Sequence, residues 1–321
     1  MNTVLSSRRV LLQQSVALCC AGALGHPAWS ASGSATARVA AAGTLVIGGD
    51  MKVMRLGLGA MRITGDGIWG EPRDTREARA LLRRALSLGV NFIDTADAYG
   101  PAVSERLIAE ALHPYPRGLV IATKGGLLRP SREEWTPDGR PEHLRAACEG
   151  SLKRLRLERI DLYQFHRPDP KVPLADSLGA LKDLQLAGKI RHIGLSNVDV
   201  PQLRLAQGII KVVSVQNRYN VADRTSEDVL AVCEREQIAF LPWGPLAQRP
   251  HGPGSAGNAL NALIAIAGER HLPVPTVALS WLLAKSPEML PIPGTSRIDH
   301  LEEDLSAAQL HLTALELKRI G

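Results

Sequence analysis

The amino-acid sequence predicts a parallel (β/α)8 barrel, an α/β fold of the TIM-barrel class, preceded by a β-hairpin. From residue 44 onward, short runs rich in Val, Ile and Leu alternate with stretches whose apolar residues recur at helical spacing. Eight such runs occur, and the barrel requires eight buried strands, each joined to the next by a helix. The predicted strands are Met54–Gly59, Asn91–Thr95, Leu119–Thr123, Ile160–Phe165, His192–Leu195, Val212–Gln216, Ala239–Trp243 and Met289–Pro293.

The stretches between these runs have the pattern of helices with one apolar face. In PEHLRAACEGSLKRLRL, Leu144, Cys148, Leu152 and Leu155 share a face, and charged residues occupy the opposite one. A doubly wound sheet is the competing architecture, but it needs a glycine-rich fingerprint that leads from its first strand into a helix. The segment LGLGAMR has a different glycine spacing and no helix directly after it.

A β-hairpin is predicted ahead of the first barrel strand. In the segment TLVIGGDMKV, Gly48, Gly49 and Asp50 lie between two apolar runs, which is typical of a tight turn. We expect this hairpin to cover the bottom of the barrel. The sequence after residue 44 shows no linker or low-complexity segment, so residues 44–321 are predicted to form one domain.

The N-terminal segment resembles a bacterial export signal. Arg8 and Arg9 precede an apolar run over 10–25, and Ala28 and Ser30 supply the small residues that a signal peptidase requires. The run is too short to span a membrane as a helix. The motif Ser-Arg-Arg-x-Leu-Leu resembles the twin-arginine signal, which exports proteins that have already folded.

We therefore expect a signal peptide over 1–30, a short linker over 31–43 and a periplasmic product that is not stably inserted in the membrane. The alternative is a cytoplasmic protein whose translation starts closer to the hairpin.

Composition and charge argue against several other classes of protein. The chain has 321 residues, a net charge of +6 and 45% hydrophobic residues, which is ample for a full core. The positive charge is spread along the chain rather than gathered in runs, so no nucleic-acid partner is predicted. Four cysteines without a CxxC motif or a His/Cys cluster predict neither a metal site nor a disulfide framework. The sequence carries no indication of oligomeric state.

Polar side chains follow the ends of most predicted strands, and in a parallel barrel these ends meet at one rim. Asp94 ends the second strand and Tyr99 lies in its loop, while Lys124 and His166 end the third and fourth strands. Each residue alone has a structural explanation, such as a helix cap or a core histidine. Their shared rim makes a common site the better interpretation. The later strands end in Ser196, Asn197, Gln216, Asn217, Trp243, Gly294, Thr295 and Ser296.

These four side chains are suited to proton donation. A tyrosine has a pKa of about 10 and donates its proton slowly at neutral pH. An adjacent ammonium stabilises the phenolate and lowers that pKa, and a carboxylate holds the ammonium in place. A histidine can bond a substrate carbonyl oxygen and fix its angle. The set therefore predicts a site at which Tyr99 protonates a carbonyl substrate.

The motifs GVNFIDTADAYG, IATKGG, YQFHRPD, HIGLSN, VQNRYN and IPGTS resemble the aldo/keto reductase family in order and spacing, over residues 44–321. The resemblance implies reduction of a small-molecule aldehyde or ketone to an alcohol, with NADPH as cofactor and NADH as the alternative. It implies a catalytic tetrad of Asp94, Tyr99, Lys124 and His166. It also implies cofactor contacts from Gly59, Ala60, Met61, Ser196, Asn197, Gln216, Trp243, Pro245, Leu246, Gly294, Thr295, Ser296, Arg297, His300, Glu303 and Asp304, with Trp243 stacked on the nicotinamide.

Two departures from the family pattern affect the adenosine end of the nucleotide. Gly294 stands where many members carry a lysine, and His300 stands where they carry an arginine. Ser296 and Arg297 are therefore expected to cover a 2′-phosphate, which favours NADPH over NADH.

Two loop segments narrow the resemblance within the family. GAMRITGDGIWGEPRDTREA and DAYGPAVSERLIAEALHPYP are similar to a bacterial branch that reduces pyridoxal. Trp69, after the first strand, is interpreted as an aromatic wall for a pyridine ring, with simple packing of its loop as the alternative.

Two other functions compete with carbonyl reduction as interpretations of the sequence. A nucleotide-binding sensor with little turnover is disfavoured because all four tetrad residues are present. A metal-dependent hydrolase could use Asp94, Asp97, Asp161 and His166 as ligands. It is disfavoured because the sequence has no HxH pair and Lys124 would compete as a cation.

Overall fold

The computed structural model describes residues 39–246 and 255–321. The signal peptide predicted over 1–30 and most of the linker predicted over 31–43 lie outside the described residues, so both stay predictions.

The described strands, in chain order, are β1 (Thr44–Ile47), β2 (Met51–Met54), β3 (Leu58–Gly59), β4 (Phe92–Asp94), β5 (Val120–Gly125), β6 (Leu127–Leu128), β7 (Thr136–Pro137), β8 (Ile160–Phe165), β9 (Ile190–Ser196), β10 (Val212–Gln216) and β11 (Ala239–Phe240). Seven of them form one parallel sheet in the order β3-β4-β5-β8-β9-β10-β11. Sequential neighbours along this sheet are joined through helices, as a barrel requires.

The segment 289–293 closes the barrel between β11 and β3. The N–H of Leu290 donates to the carbonyl of Phe240 at 2.9 Å, and two proline carbonyls of the segment accept from Gly57 and Gly59 at 3.0 and 2.9 Å. Because a proline has no N–H to return, this eighth strand forms only part of a ladder. The seven-stranded sheet and its closure by this segment confirm the predicted (β/α)8 barrel.

The strands β1 and β2 form the predicted antiparallel hairpin. Apolar side chains of the hairpin pack with residues inside the barrel, including Phe92, Leu162 and Leu241. Asp50 in the turn accepts hydrogen bonds from Arg191, near the start of β9. The hairpin thus covers the amino end of the strands, as predicted. One boundary differs, because Met54 pairs with the hairpin rather than starting the first barrel strand.

The helices are α1 (Thr75–Ser87), α2 (Val103–Leu112), α3 (Pro141–Leu155), α4 (Leu174–Leu186), α5 (Val200–Gln207), α6 (Glu227–Glu236), α7 (Ser255–Glu269), α8 (Val274–Lys285), α9 (Ile298–Ser306) and α10 (Ala314–Ile320). In α3 the predicted apolar face is buried, at Leu144, Cys148, Leu152 and Leu155. Within the described ranges, no helix has both the length and the apolar character to cross a membrane.

Candidate active site

Three of the predicted tetrad residues are in direct contact at the carboxyl ends of β4 and β5. Lys124 is completely buried. Its Nζ lies 2.5 Å from Asp94 Oδ1, 2.8 Å from the Thr95 carbonyl oxygen and 3.3 Å from the Tyr99 hydroxyl. The ammonium therefore donates to all three oxygens and joins the carboxylate to the phenol.

The second carboxylate oxygen of Asp94 is held by two amides. Gln164 and Gln216 donate to Asp94 Oδ2 at 2.9 and 2.8 Å, so the buried charge is hydrogen-bonded on both oxygens. The Gln216 amide N–H thus points at this carboxylate, and its predicted contact with the nicotinamide stays a prediction. Gln164 was missed, although it stands two residues before His166, a spacing that places side chains on the same face of a strand.

Lys124 is charged at neutral pH in this environment. Burial alone lowers the pKa of Lys124, but the Asp94 carboxylate and the Tyr99 phenol more than offset that effect, so the pKa lies above its ordinary value. Lys124 therefore keeps its positive charge over the physiological pH range.

The pKa of Tyr99 moves opposite to the sequence-based expectation. Burial raises it, the nearby Lys124 ammonium lowers it, and the Asp94 carboxylate raises it again, so the net shift is upward. The expectation of a lowered pKa considered only the ammonium and was wrong for the free protein. Tyr99 consequently keeps its proton at neutral pH, which is the state that a proton donor needs.

The fourth tetrad residue, His166, is a neutral imidazole beside Tyr99. The two ring centroids are 5.9 Å apart in an edge-to-face arrangement. Burial, then the charges of Lys124 and Arg167, hold the pKa of His166 well below its ordinary value. Its Nδ1 is buried without a partner in the described part of the chain. Because a buried N–H without an acceptor is rarer than a bare acceptor, we assign the proton to Nε2.

Tyr99 and His166 open into a cavity of about 770 Å³. The predicted site residues that line it are Gly59, Met61, Asp94, Tyr99, His166, Ser196, Asn197, Gln216, Trp243, Pro245, Leu246 and Gly294. In the described ranges, no group of three or more His, Cys, Asp or Glu side chains is arranged to hold a metal ion.

The indole of Trp243 is fixed in the cavity wall by Asn197. Trp243 Nε1–H donates to Asn197 Oδ1 at 3.1 Å. The Asn197 amide N–H in turn donates to the His166 carbonyl and to Ser196 Oγ, both at 3.0 Å. Asn197 has a φ of 58°, a left-handed conformation that asparagine tolerates. This network fixes the position of the indole in the cavity wall and links it to the His166 backbone.

Of the residues predicted for the adenosine end, Gly294 lines the cavity, and two others line a neighbouring groove of about 330 Å³. Ser296 and Arg297 line this groove. The Arg297 guanidinium is bound by the carboxylate of Asp299, a partner that was not predicted. Thr295 precedes α9, and the remaining residues predicted for this end lie along that helix, namely His300, Glu303 and Asp304.

Trp69 does not appear among the described residues that line the cavity. It packs against Arg129 and forms a backbone bridge with Gly100. Its neighbour Ile68 and, from the segment between β6 and β7, Trp135 line the cavity instead. Ala60 also lies outside the lining, and its carbonyl accepts from Ser104 Oγ. The strands β6 and β7 were not predicted, so no position could be predicted for Trp135.

The buried carboxyl group of Asp97, close to the tetrad, should make the free energy of unfolding depend on pH. Its Oδ1 is buried without a partner in the described part of the chain. Burial, and then the Glu105 carboxylate, raise the pKa of Asp97 from 3.8 to about 8. Unfolding therefore releases a proton between these two values, so stability falls as pH rises through that window.

The variant Asp97→Asn should lose this dependence. Urea unfolding at about pH 5 and about pH 8 should show the variant gaining stability relative to wild type as pH rises. A difference in the free energy of unfolding that is the same at both pH values would contradict the assignment.

Comparisons with known proteins agree with this geometry. The model of the aldo/keto reductase family matches residues 55–321. An uncharacterized oxidoreductase of Schizosaccharomyces pombe is 49% identical over 273 residues, which cover 85% of this chain and 87% of the relative. Pyridoxine 4-dehydrogenase of Escherichia coli is 39% identical over 272 residues, which cover 83% of this chain and 93% of that protein.

Solved structures give the same result for the fold. An aldo/keto reductase from Klebsiella pneumoniae, in complex with NADP and acetate, superposes with a TM-score of 0.70 at 25% identity. The match covers 86% of this chain and 93% of that one. With a family model that spans most of the chain and the barrel that it implies, this protein belongs to the aldo/keto reductase family.

Proposed function

We propose that this protein catalyses the NADPH-dependent reduction of an aldehyde or ketone to an alcohol, with Tyr99 as the proton donor. The observation that carries the proposal is the contact of one buried ammonium, Lys124, with both Asp94 and Tyr99, next to a neutral His166 at the wall of a large cavity. The Klebsiella pneumoniae relative with bound NADP supports the choice of cofactor.

The cavity and the groove fit a dinucleotide. The fixed indole of Trp243 offers a flat face for an aromatic ring. Gly59 and Gly294 line the cavity, and a Cβ on either would lie 2.6 or 2.8 Å from the backbone oxygen of Ile292 or Gly59, so the two glycines let these backbone segments pack closely beside the cavity. Arg62 lines both the cavity and the groove, and a guanidinium suits a phosphate between them. When bound, the reduced nicotinamide would supply a hydride to the carbonyl carbon.

Residues of the protein would then orient and protonate the carbonyl oxygen. Tyr99 O–H and His166 Nε2–H donate to that oxygen and orient the carbonyl. As negative charge develops on the oxygen, Tyr99 transfers its proton, which completes the alcohol. The Lys124 ammonium stabilises the phenolate that remains, and Asp94 holds Lys124 in position. Water later returns a proton to Tyr99.

Pyridoxal is the substrate that we propose for this site. The 39% identity to a pyridoxine 4-dehydrogenase supports it, as does the aromatic side chain of Trp135 in the cavity wall. The test is a panel of carbonyl compounds with NADPH and with NADH, in which pyridoxal should give the highest kcat/KM. A clearly better substrate of another class would overturn the pyridoxal assignment without affecting the reductase assignment.

Arg297 is expected to distinguish NADPH from NADH. We propose that Arg297, with His300, covers the 2′-phosphate. Arg297→Ala and His300→Ala should each weaken NADPH more than NADH, by up to about 1.5–3 kcal/mol for a charge-assisted contact. Because Asp299 binds the Arg297 guanidinium, Asp299→Asn should instead tighten NADPH. Fluorescence titration measures each Kd. Equal losses for both nucleotides would mean that the adenosine end is recognised in another way.

We further propose that residues 1–30 direct export by the twin-arginine route. A reductase that needs a dinucleotide made in the cytoplasm benefits from crossing the membrane after it has folded around that dinucleotide. Replacing Arg8 and Arg9 together by lysine should leave an active, folded protein in the cytoplasm. Cell fractionation with N-terminal sequencing should find wild type in the periplasm, starting near Ala31. A cytoplasmic wild-type product would reject the proposal.

A further inference from the structure

Ile68 lines the cavity in a backbone conformation that isoleucine rarely adopts. Its φ is 59°, in the left-handed region. A β-branched residue is disfavoured there, so neighbouring contacts must impose the conformation. Two of these contacts are made by the Ile68 carbonyl, which accepts hydrogen bonds from Arg129 Nη1 at 2.9 Å and from the Gly100 N–H at 3.3 Å.

Arg129 is a buried cation that is held by backbone carbonyls. Besides Ile68, its guanidinium donates to the carbonyls of Gly67, Arg132 and Glu134, at 3.2, 2.6 and 3.2 Å. Only 7% of Arg129 is exposed, and burial lowers the pKa of its guanidinium. Five N–H groups in one rigid plane allow an arginine to reach several carbonyls at once, which a lysine ammonium on a flexible stem does not reproduce.

Two tryptophans fix the plane of this guanidinium. Arg129 Cζ lies 3.7 Å from the ring centroid of Trp135 and 5.3 Å from that of Trp69, distances at which a cation is attracted to an aromatic face. Trp69 belongs to the loop after β3, whereas Trp135 belongs to the segment between β6 and β7. The Arg129 clamp, defined as Arg129 with these two tryptophans, therefore ties two loops of the barrel rim together.

The clamp acts next to the proposed proton donor. Gly100, which shares the Ile68 carbonyl with Arg129, directly follows Tyr99 in the chain. Ile68, Leu127 and Trp135 are apolar members of the cavity lining. The position of this apolar wall relative to Tyr99 thus depends on the guanidinium that joins its parts.

We propose that Arg129 is a positioning residue for substrate selectivity. Arg129 holds Ile68 in the left-handed conformation and holds the Trp135 ring against its own guanidinium. The ring of an aromatic aldehyde can then pack on this apolar wall while the carbonyl group reaches Tyr99. The inference rests on the proposed reductase function and adds the class of substrate that the wall selects. A small aliphatic aldehyde has no ring to pack on this wall, so its binding depends little on the position of the wall.

The test compares Arg129→Lys with wild type on benzaldehyde and propanal. The ratio of kcat/KM for benzaldehyde to that for propanal should fall by about tenfold, the lower range for a lost pocket contact, mainly through a higher KM for benzaldehyde. A general structural defect would lower both values together and leave the ratio unchanged. The matched control is Arg55→Lys, since Arg55 also donates to backbone carbonyls, those of Leu283 and Ser286, but lies outside the cavity lining.

A second variant keeps the inference testable if Arg129→Lys fails to fold. Glycine adopts a positive φ freely, so Ile68→Gly should fold and should lower the same ratio. In the Ile68→Gly background, Arg129→Lys should lower the ratio further by less than it does alone, because one side chain that it positions is gone. Full additivity, or an unchanged ratio in both single variants, overturns the clamp. Absence of any carbonyl reduction in wild type would instead reject the reductase function.

Discussion

Replacing Tyr99 by phenylalanine should lower the turnover of carbonyl reduction by about 10²–10⁴-fold, the range for loss of a positioned proton donor. The structure gives the reason, since Tyr99 is the hydroxyl that reaches both the cavity and the Lys124 ammonium. Lys124 keeps its bonds to Asp94 and to the Thr95 carbonyl in the variant. The fold and the Kd for NADPH should therefore stay close to wild type.

The matched control for this variant is Tyr163→Phe. Tyr163 is fully buried, and its hydroxyl has no partner in the described part of the chain. The same chemical change there should leave turnover intact. Steady-state kinetics and nucleotide titration on both variants measure the effect. If Tyr99→Phe retains most of the wild-type kcat, another group donates the proton.

Lys124→Met should both destabilise the protein and abolish most turnover. The substitution leaves the Asp94 carboxylate buried without its cation, and breaking a buried pair in this way costs about 3–5 kcal/mol. The two glutamine amides still donate to Asp94, but they carry no charge to compensate it. Urea denaturation measures the loss in the free energy of unfolding.

A double variant separates the structural part of this effect from the chemical part. Asp94→Asn with Lys124→Met removes both charges, so most of the lost stability should return. Turnover should stay low, because nothing then stabilises the Tyr99 phenolate. A single Lys124→Met variant as stable as wild type would show that the buried pair contributes nothing to the fold.

Much of the active-site rim could be predicted because the end of a barrel strand is visible in the sequence as a polar residue after a buried apolar run. Buried runs that stop at Asp94, Lys124 and His166 place those side chains at the same edge once the strands are parallel. The segment 289–293 was predicted as a strand for the same reason, although its prolines limit its ladder.

Properties that depend on the distances between several charged and buried groups could not be predicted from the sequence. The shift in the pKa of Tyr99 is the sum of opposing effects from burial, Lys124 and Asp94, and only the geometry gives its sign. Which loop side chains line the cavity could not be predicted either. Trp69 and Trp135 are both plausible walls by residue type, and only the structure shows that Trp135 lines the cavity while both rings contact Arg129.

A single-turnover experiment tests the central claim most directly. Wild-type protein preloaded with NADPH is mixed with pyridoxal in a stopped-flow instrument, and nucleotide oxidation is followed by absorbance while pyridoxine is quantified. The proposed function predicts rapid oxidation with one alcohol formed per nucleotide, and strongly slowed oxidation in Tyr99→Phe. Bound NADPH that stays reduced with pyridoxal and with every other carbonyl tested would contradict it, and would favour a nucleotide-binding sensor.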